Sequence, residues 1–458
     1  MKQKQGYHIT GKEHASMYLF AFGGSAFAAL TGVFNVYLSD IGVTAGVIAI
    51  LLLITRVWDF INDPLAGIII EKAHFKSGKY IPWLKASSIL MPIFGAAMFF
   101  IPSSMPMVVK IIVPVVLFVL YEGCFTFFDI PIFGIRLVMT DSVQERTDLQ
   151  AILAIFSFVG TLIMALLFPQ IRPILGWRLT AIILSAFAAL TFIFFPRTAK
   201  ERFNSKNEEE PTIKAMIHYV IKNKPLLIFY GATFICMCSN FIQVIMMYLA
   251  RYVYGNEGMM TIIALVLMLP FFLSAVLLPV ITKKTDKFVI LMLSNVGFAI
   301  LGVVHYFVGY TDITASFIVL AVRGLFVGIQ SLLLYAFTAD MVEWHHYIKG
   351  ERNEAMAFSF QTLTAKLINA LLSVIMMAML GFLGFKSGEN ALQPPEVVTG
   401  IWAMFTWIPS VSTAVAMVFY SFYHPRDKKV QVMIRANHGE ITKAQAENEL
   451  AALGGYTY

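Results

Sequence analysis

Charged residues are scarce in this chain: Asp, Glu, Lys and Arg make up 13% of its 458 residues, where soluble domains carry about 25%. Cysteine is rarer still, and all three cysteines fall in apolar segments, so we predict neither a disulfide nor a zinc site. No G-x-x-x-x-G-K-[ST] loop occurs, which argues against a nucleotide-driven pump. No loop combines basic and aromatic residues in a nucleic-acid-binding pattern, and we expect no nucleic acid partner.

Apolar sequence is abundant instead: 58% of the residues are hydrophobic and the mean hydropathy is +0.74. Long apolar runs recur along the whole chain, and each is close to the ~20 residues that a helix needs to cross a bilayer. The runs cover roughly residues 14–38, 43–70, 83–101, 107–135, 149–170, 177–196, 226–253, 258–282, 288–309, 313–340, 355–384 and 398–423. The sequence therefore predicts an all-α integral membrane protein with twelve transmembrane helices in two six-helix bundles.

The basic residues predict the orientation, because cytoplasmic loops carry an excess of Lys and Arg. Placing both termini inside puts most of the 34 basic residues on the cytoplasmic side, including those between Arg197 and Lys224. The net charge of +7 is then a result of this bias. The polar N-terminal stretch does not resemble a cleavable signal peptide. We expect a multi-pass protein of the cytoplasmic (inner) membrane with both termini in the cytoplasm.

A long polar interval separates the first six predicted spans from the last six. Its charge-dense centre, NSKNEEEP, is typical of a linker. The following PTIKAMIHYVIK is amphipathic, and it either lies on the inner membrane surface or forms a solvated connector. This is the layout of major-facilitator transporters, whose two halves rock about a central site. The predicted divisions are an N-terminal bundle (1–196), a cytoplasmic linker (197–225), a C-terminal bundle (226–423) and a cytoplasmic tail (424–458) with one short helix in TKAQAENELAALGG.

The second predicted span contains the polar stretch RVWDFINDPLAG at residues 56–67. Asp59 and Asp63 are four residues apart and share one helix face with Asn62 beside them. Two like charges in a low dielectric need a positive partner, which can be a metal cation, a proton or a lysine from another helix. The alternative is a structural role, in which Arg56 forms an internal salt bridge with one aspartate, but that pair does not account for the second aspartate. The stretch therefore indicates a cation site.

Two later spans carry further ionisable groups. In FTFFDIPIFGIR, Asp129 follows Thr126 by about one turn, and in FQTLTAKLINALL, Lys366 follows Gln361 and Thr362. Ionisable residues within a membrane span mark ion or substrate pathways by default. The acids lie in the N-terminal six spans and the lysine lies in the C-terminal six, so we predict that they neutralise one another across a central cavity.

Four motifs together resemble the glycoside–pentoside–hexuronide:cation symporters, the melibiose permease family. They are RVWDFINDPLAG (56–67), GKYIPW (78–83), DIP (129–131) and ADMVEW…GERNEAMAFSFQTLTAK (339–366), and they extend in order over nearly the whole chain. The resemblance implies a major facilitator fold and cation-coupled transport. It also implies roles for individual residues. These are a cation site at Asp59, Asn62, Asp63 and Thr126, with sodium held by both aspartates, a solute site at Asp129, Gln361, Thr362 and an aromatic residue at Phe133, and a coupling group at Lys366. Arg56, about one turn before Asp59, can pair with an aspartate and is a further candidate coupling residue.

Several positions depart from the family pattern. Gly24 and Ser25 stand where melibiose permease has a lysine and an aspartate, Ala154 replaces a sugar-binding arginine, and Phe133 replaces a tryptophan. The cation site is thus retained while half of the sugar contacts are absent, so we do not expect a melibiose-like galactoside. Glu122, two turns before Asp129, is an added acid that either binds solute or a proton, or faces water.

The combined interpretation is a cation-coupled secondary symporter for a sugar, glycoside, pentoside or hexuronide, with Na⁺ or H⁺ as the coupling ion and no other cofactor. The retained amide and hydroxyl favour sodium over protons. The alternative is a cation-dependent transporter of a lysolipid or another amphiphile. An enzyme is the third class, and neither a nucleophile–base set nor a metal cluster supports it. We expect a monomer in the lipid bilayer.

Overall fold

The computed structural model describes residues 8–73, 75–140, 142–203, 213–389, 391–423 and 425–455. Within these ranges the regular elements are helical and no strand occurs, as predicted. The α-helices are α1 (Gly11–Gly32), α2 (Phe34–Asp40), α3 (Ala45–Lys72), α4 (Ile81–Ala97), α5 (Met107–Met139), α6 (Val143–Thr198), α7 (Ile213–Lys222), α8 (Lys224–Cys236), α9 (Phe241–Tyr248), α10 (Met259–Ile281), α11 (Lys287–Val308), α12 (Ile313–Lys349), α13 (Glu354–Phe382), α14 (Pro395–Tyr420), α15 (Asp427–Asn437) and α16 (Lys443–Ala452). A 3-10 helix (Met237–Asn240) joins α8 to α9, and a π-helix (Leu249–Val253) follows α9.

The predicted membrane spans are present in the described part of the chain. Ten helical stretches there are long and apolar enough to cross a membrane. One of them, Asp148–Thr198, covers two predicted spans and breaks at Gly176, whose φ of 69° favours a residue without a Cβ. The apolar helix α4 is shorter, at 17 residues. Counting α6 as two segments and adding α4 gives the twelve predicted spans.

Helix α1 begins at a reciprocal cap that also ties it to a distant segment. The Thr10 side chain accepts from the Glu13 backbone N–H, and the Glu13 carboxylate accepts from the Thr10 backbone N–H. Arg202 donates to both oxygens of the same carboxylate, at 2.9 and 2.8 Å. Glu13 is 2% exposed, so the carboxylate is buried but fully hydrogen-bonded. This arrangement fixes the start of α1 against the segment after α6.

Small residues let α1 and α6 approach closely. A Cβ on Gly160 would lie 2.6 Å from the backbone oxygen of Phe22, and one on Gly23 would meet the Thr191 side chain. In lipid, where helices gain little from the hydrophobic effect, such close backbone approach supplies much of the packing energy. The α1–α6 contact is therefore a fixed frame for the helices beside it.

The chain forms two compact units. Unit 1 contains Met1–Glu208, Ala250–Thr261 and Met377–Val397, and unit 2 contains Glu209–Leu249, Ile262–Met376 and Val398–Tyr458. The cation-site candidates of α3 and α5 thus belong to unit 1, and the candidates of α13 belong to unit 2. The predicted boundaries at 196, 225 and 423 stay predictions.

The structure describes part of the predicted linker. NSKNEEEP lies outside the described residues, but the amphipathic stretch after it is helix α7. Its apolar residues Tyr219 and Val220 are buried in the core of unit 2. Helix α7 therefore packs on protein through these two residues, while Ile217 and Ile221 of the same helix are exposed. The membrane-surface and solvated-connector alternatives both stay predictions.

The C-terminal tail also packs on unit 2. Helix α16 begins at the capping residue Thr442 and occupies the predicted segment. Val430 and Met433 of α15 and Leu450 of α16 are buried in the unit 2 core. The Asn437 side chain donates to the backbone oxygen of Glu343 at 2.9 Å, which fastens α15 to the end of α12.

Candidate cation and solute sites

Helix α3 carries the first pair of predicted site residues. Arg56 Nη1 lies 3.1 Å from Asp59 Oδ2, one turn along the helix, and both side chains are partly exposed. This is the internal salt bridge that the sequence offers as an alternative to a cation site. It accounts for Asp59 but not for Asp63, which needs another partner.

A second group joins α3 to α5. Asn62 Nδ2 donates to Thr126 Oγ1 at 2.7 Å, and the Thr126 hydroxyl lies 2.9 Å from Asp63 Oδ1. The backbone oxygen of Glu122 is 3.1 Å from the Thr126 hydroxyl. Asn62 and Thr126 are buried, whereas the Asp63 side chain is exposed. The structure thus brings three of the four predicted cation-site residues into one hydrogen-bonded cluster.

The chemistry of this cluster suits a hard monovalent cation. It gathers a carboxylate, a hydroxyl, an amide and a backbone carbonyl, and hard cations bind oxygen donors of these kinds. In the described ranges no group of three or more His, Cys, Asp or Glu residues is placed to hold a metal ion. A transition-metal site is therefore not indicated there, and the oxygen cluster at Asp63 is the candidate for the coupling ion.

The predicted solute residues of α5 lie further along the same helix. Asp129 is half-buried, and Phe133, one turn later, is 51% exposed. The Arg136 guanidinium lies 5.1 Å from the centre of the Phe133 ring and donates to Gln150 on α6. An acid, an aromatic face and a cation therefore follow one another over two turns, a combination that can bind both hydroxyl groups and the flat face of a sugar ring.

The candidate solute and coupling residues on α13 belong to unit 2 and differ in their burial. Gln361 is 5% exposed, and its Oε1 accepts from Thr338 at 2.7 Å. Thr338 also contacts the Tyr230 hydroxyl at 3.2 Å. Thr362 and Lys366 are exposed, and the Thr362 hydroxyl donates back to its own helix. Gln361 is thus held in a buried network, while the other two present their side chains at the surface of the unit.

An ionic cluster in unit 1 was not predicted from the sequence. Arg172 donates to Asp40 at 2.6 Å, to Glu257 at 2.7 Å and to Glu389 at 3.1 Å. Arg251 donates to Asp40 at 2.9 Å and to Glu257 at 2.8 Å. Two arginines therefore share three carboxylates that come from three distant parts of the chain. Arg172 and Asp40 are almost fully buried, which makes this an ion network and not a set of surface pairs.

The local structure around this cluster explains how its groups converge. Asp40 ends α2, Arg251 lies in the π-helix, and a tryptophan covers the cluster: Trp177 Nε1 donates to Asp40 at 2.8 Å, and its ring lies 4.4 Å from the Arg172 guanidinium. A π-helix turn shifts the direction of side chains relative to an α-helix, which aims Arg251 at its partners. In the sequence, the signal for this cluster is that each of its charged residues lies at the end of an apolar run.

Comparison with known proteins identifies the family. Residues 19–425 match the family described as "MFS/sugar transport protein". The glucuronide carrier protein homolog of Escherichia coli (strain K12) is 24% identical over 428 residues, covering 91% of each chain. The putative glycoside/cation symporter YagG of the same organism is 23% identical over 451 residues, covering 95% of this chain and 94% of its own.

A solved structure shows the same fold. The nucleoside transporter NupG superposes with a TM-score of 0.61 at 12% identity, covering 90% of this chain and 98% of its own. At that identity the similarity concerns the fold alone. The predicted major facilitator architecture is confirmed.

Proposed function

Because this chain belongs to the glycoside–pentoside–hexuronide:cation symporter family of major facilitator transporters, we propose that it imports a sugar-derived solute together with sodium across the cytoplasmic membrane. The protein is a multi-pass transporter and not an enzyme, and its activity is cation-coupled symport of a sugar-type solute. The lysolipid alternative gains no support, since the relatives compared above are named for glucuronides and glycosides.

The observation that carries the proposal is the cluster of Asn62, Asp63 and Thr126. Its amide and hydroxyl groups can ligate sodium but do not exchange protons in the neutral pH range, whereas a proton site needs only a carboxylate. A cation beside Asp63 neutralises an acid in a membrane span, where an isolated charge is costly. Sodium is therefore favoured over a proton as the coupling ion.

Coupling follows from linkage between the two sites. If sodium at Asp63 raises the affinity for the solute, the solute raises the affinity for sodium by the same factor. Asp129 follows Thr126 by about one turn on α5, so occupation of one position can shift the helix that carries the other. Lys366 supplies a positive charge from unit 2, and we assign it the role of sensing whether the acids are neutralised.

The solute class is a glycoside, pentoside or hexuronide. Asp129 favours neutral hydroxyls, since a carboxylate accepts two hydrogen bonds from neighbouring hydroxyl groups. Arg136 beside Phe133 can pair with the carboxylate of a uronic acid, which favours a hexuronide. Glu122 places its backbone oxygen in the cation cluster, and its carboxylate is a further candidate for contact with the solute.

Orientation in the membrane is proposed from charge. The excess of basic residues on one side supports cytoplasmic termini, with α7 and the tail helices on the inner side. The ionic cluster of Arg172 and Arg251 would then face the outside.

Uptake into membrane vesicles tests this function. Radiolabelled methyl β-D-xyloside, methyl β-D-glucoside and methyl β-D-glucuronide are supplied with an inward sodium gradient, a proton gradient or neither. We expect accumulation of at least one solute that requires sodium and collapses when a sodium ionophore is added. Accumulation that follows only the proton gradient would overturn sodium coupling, and failure to accumulate any of the three would overturn the proposed solute class.

A further inference from the structure

Unit 2 contains a cavity within its own helices. The cavity has a volume of about 160 Å³ and lies between α8, the following 3-10 helix and α12. Helix α14 closes one side through Tyr420, and α11 contributes Leu291. All of these elements belong to unit 2, so the cavity is a feature of one unit by itself.

The walls of this cavity combine apolar side chains with uncharged polar ones. Seven side chains that line it carry a hydroxyl or an amide: Thr233, Ser239, Asn240, Gln330, Ser331, Tyr335 and Tyr420. None of the residues lining it is ionisable near neutral pH except as a weakly acidic thiol or phenol. Such walls can exchange hydrogen bonds with a neutral polar ligand, and they offer no counter-charge to an ion.

Gln330 gives the cavity an unsatisfied donor. Its side chain is 9% exposed, and its amide nitrogen Nε2 has no hydrogen-bond partner in the protein. A buried donor without an acceptor is unfavourable, so such groups are normally paired with protein, water or ligand. The Gln330 amide therefore points to an acceptor that is supplied from outside the chain.

Two aromatic residues of the lining pack against each other. The ring centres of Phe229 and Tyr420 are 5.7 Å apart. The Tyr420 hydroxyl pairs with Thr233 at 3.0 Å, which fixes the position of that ring. An engineered cavity of about 150 Å³ holds a benzene molecule, so the cavity of unit 2 has room for one six-membered ring.

We propose that this cavity binds one uncharged, hydroxyl-bearing ring of the transported solute, with Gln330 as the donor to a ring hydroxyl or ring oxygen. This subsite rests on the proposed sugar transport and deepens it, because it assigns solute selectivity to unit 2 residues outside α13. Apolar contact with Phe229 and Tyr420 suits the C–H face of a pyranose, and the hydroxyl and amide groups of the same lining suit its substituents. A charged group such as a uronate carboxylate has no partner here, so the neutral ring of a glycoside is the part that fits.

The test measures binding to the purified, full-length protein at saturating sodium by calorimetry. The probes are methyl β-D-xyloside, methyl β-D-glucoside and methyl β-D-glucuronide, followed by the 2-, 3- and 4-deoxy forms of whichever binds most tightly. The variant is Gln330→Met, which removes the amide and keeps an unbranched chain. The matched control is Leu332→Met, a volume-conserving change on the same helix at a residue that packs on the unit 2 core.

We expect Gln330→Met to weaken binding of the parent sugar by about tenfold, as for one lost buried hydrogen bond. The deoxy form that lacks the paired hydroxyl should bind wild type and variant about equally, while the other deoxy forms keep the full difference. Solute binding by Leu332→Met should stay near wild type, and so should the sodium affinity of both variants. Ser331→Ala provides a second removal of a hydrogen-bonding group if Gln330→Met does not fold.

The outcomes separate this inference from the proposed function. If wild type binds none of the probes, both are overturned. If wild type binds a probe and neither Gln330→Met nor Ser331→Ala changes its affinity, the subsite alone is overturned, and the cavity is a water-filled packing defect. An equal loss for the parent and for every deoxy form would also overturn it, since that pattern reflects a general structural change.

Discussion

The Thr126 hydroxyl lies 2.9 Å from Asp63 Oδ1, which links a buried side chain of α5 to an acid of α3. Because the donors come from two helices, a cation bound here would draw those helices together. The position of α5 then depends on whether the ion is present. The Asp129 carboxylate moves with the same helix, which gives a physical route from ion binding to solute affinity.

The first prediction concerns the two acids of α3. Asp59→Cys and Asp63→Cys should each abolish cation-driven accumulation, because the first removes the carboxylate that pairs with Arg56 and the second removes the carboxylate of the cation cluster. Sodium-dependent uptake into vesicles measures the effect, and surface labelling checks insertion. Asp312→Asn, which removes an acid but keeps a good helix cap at α12, should transport normally. Accumulation that stays cation-dependent in both cysteine variants would refute this assignment.

A second prediction isolates the Thr126 hydroxyl. Thr126→Ala removes an oxygen from the cluster and leaves the Asn62 amide with only its longer contact of 3.4 Å to the Glu122 backbone oxygen, so the sodium concentration for half-maximal transport should rise about tenfold. Thr126→Ser keeps the hydroxyl and should shift it by no more than about threefold. Sodium titration of solute uptake compares the two. Equal shifts in both variants would assign the effect to packing of the methyl group.

The third prediction concerns Asp129. Asp129→Asn replaces one acceptor oxygen by a donor and removes the charge, so solute affinity should fall by about 2–3 kcal/mol, or roughly 30- to 150-fold. Calorimetric titration with the best solute at saturating sodium measures this loss, and sodium affinity in the absence of solute should change little. An unchanged solute affinity would place the sugar away from this part of α5.

Lys366 provides the fourth prediction. Lys366→Ala should lose gradient-driven accumulation, whereas Lys366→Arg should keep part of it, because the second variant retains a positive charge. Without that charge an acid should take up a proton instead, so residual transport should depend on pH between about pH 5.5 and 8. Solute exchange and accumulation in vesicles are compared across that range. Accumulation equal to wild type at every pH would show that Lys366 has no part in coupling.

A fifth prediction tests the ionic cluster of unit 1. Arg172→Gln leaves Asp40 and Glu257 buried with less compensation, and removing one partner of a buried ion pair costs about 3–5 kcal/mol. The matched control is Arg435→Gln, whose pair with Glu449 is 3.0 Å long but about half exposed; the expected cost is below about 1 kcal/mol. Thermal unfolding in detergent should therefore shift strongly for the first variant only. Similar shifts for both would show that the cluster contributes no more than a surface pair.

The fold could be predicted from the sequence because lipid imposes a simple rule: a span needs about 20 apolar residues and internal backbone hydrogen bonds. The details that hydropathy does not predict depend on contacts between distant segments. A hydropathy pattern does not reveal that Tyr219 and Val220 pack into unit 2, since an amphipathic helix can bury apolar residues in lipid or in protein. The break at Gly176, by contrast, falls between the two spans predicted at 149–170 and 177–196.

For the candidate site, spacing alone placed Asp59, Asn62 and Asp63 near one another because a helix fixes those distances. Contact of Asn62 and Asp63 with Thr126 required the family resemblance, since no periodicity joins α3 to α5. The cluster of Asp40 and Arg251 was not predicted for a related reason, since 211 residues separate the partners. Each of these charges also lies at the end of an apolar run, where a charged residue is usually exposed to water.

That separation bears on how the protein matures during synthesis. Asp40 and Arg172 are made first and can form a neutral pair once the first half of α6 has been made. Arg251 then adds a positive charge, Glu257 cancels it, and Glu389 arrives last. At each stage the cluster carries a net charge of at most one. The growing chain therefore does not hold a large uncompensated charge before its later helices are made. The order in which these residues occur along the gene thus suits insertion from the N-terminus onward.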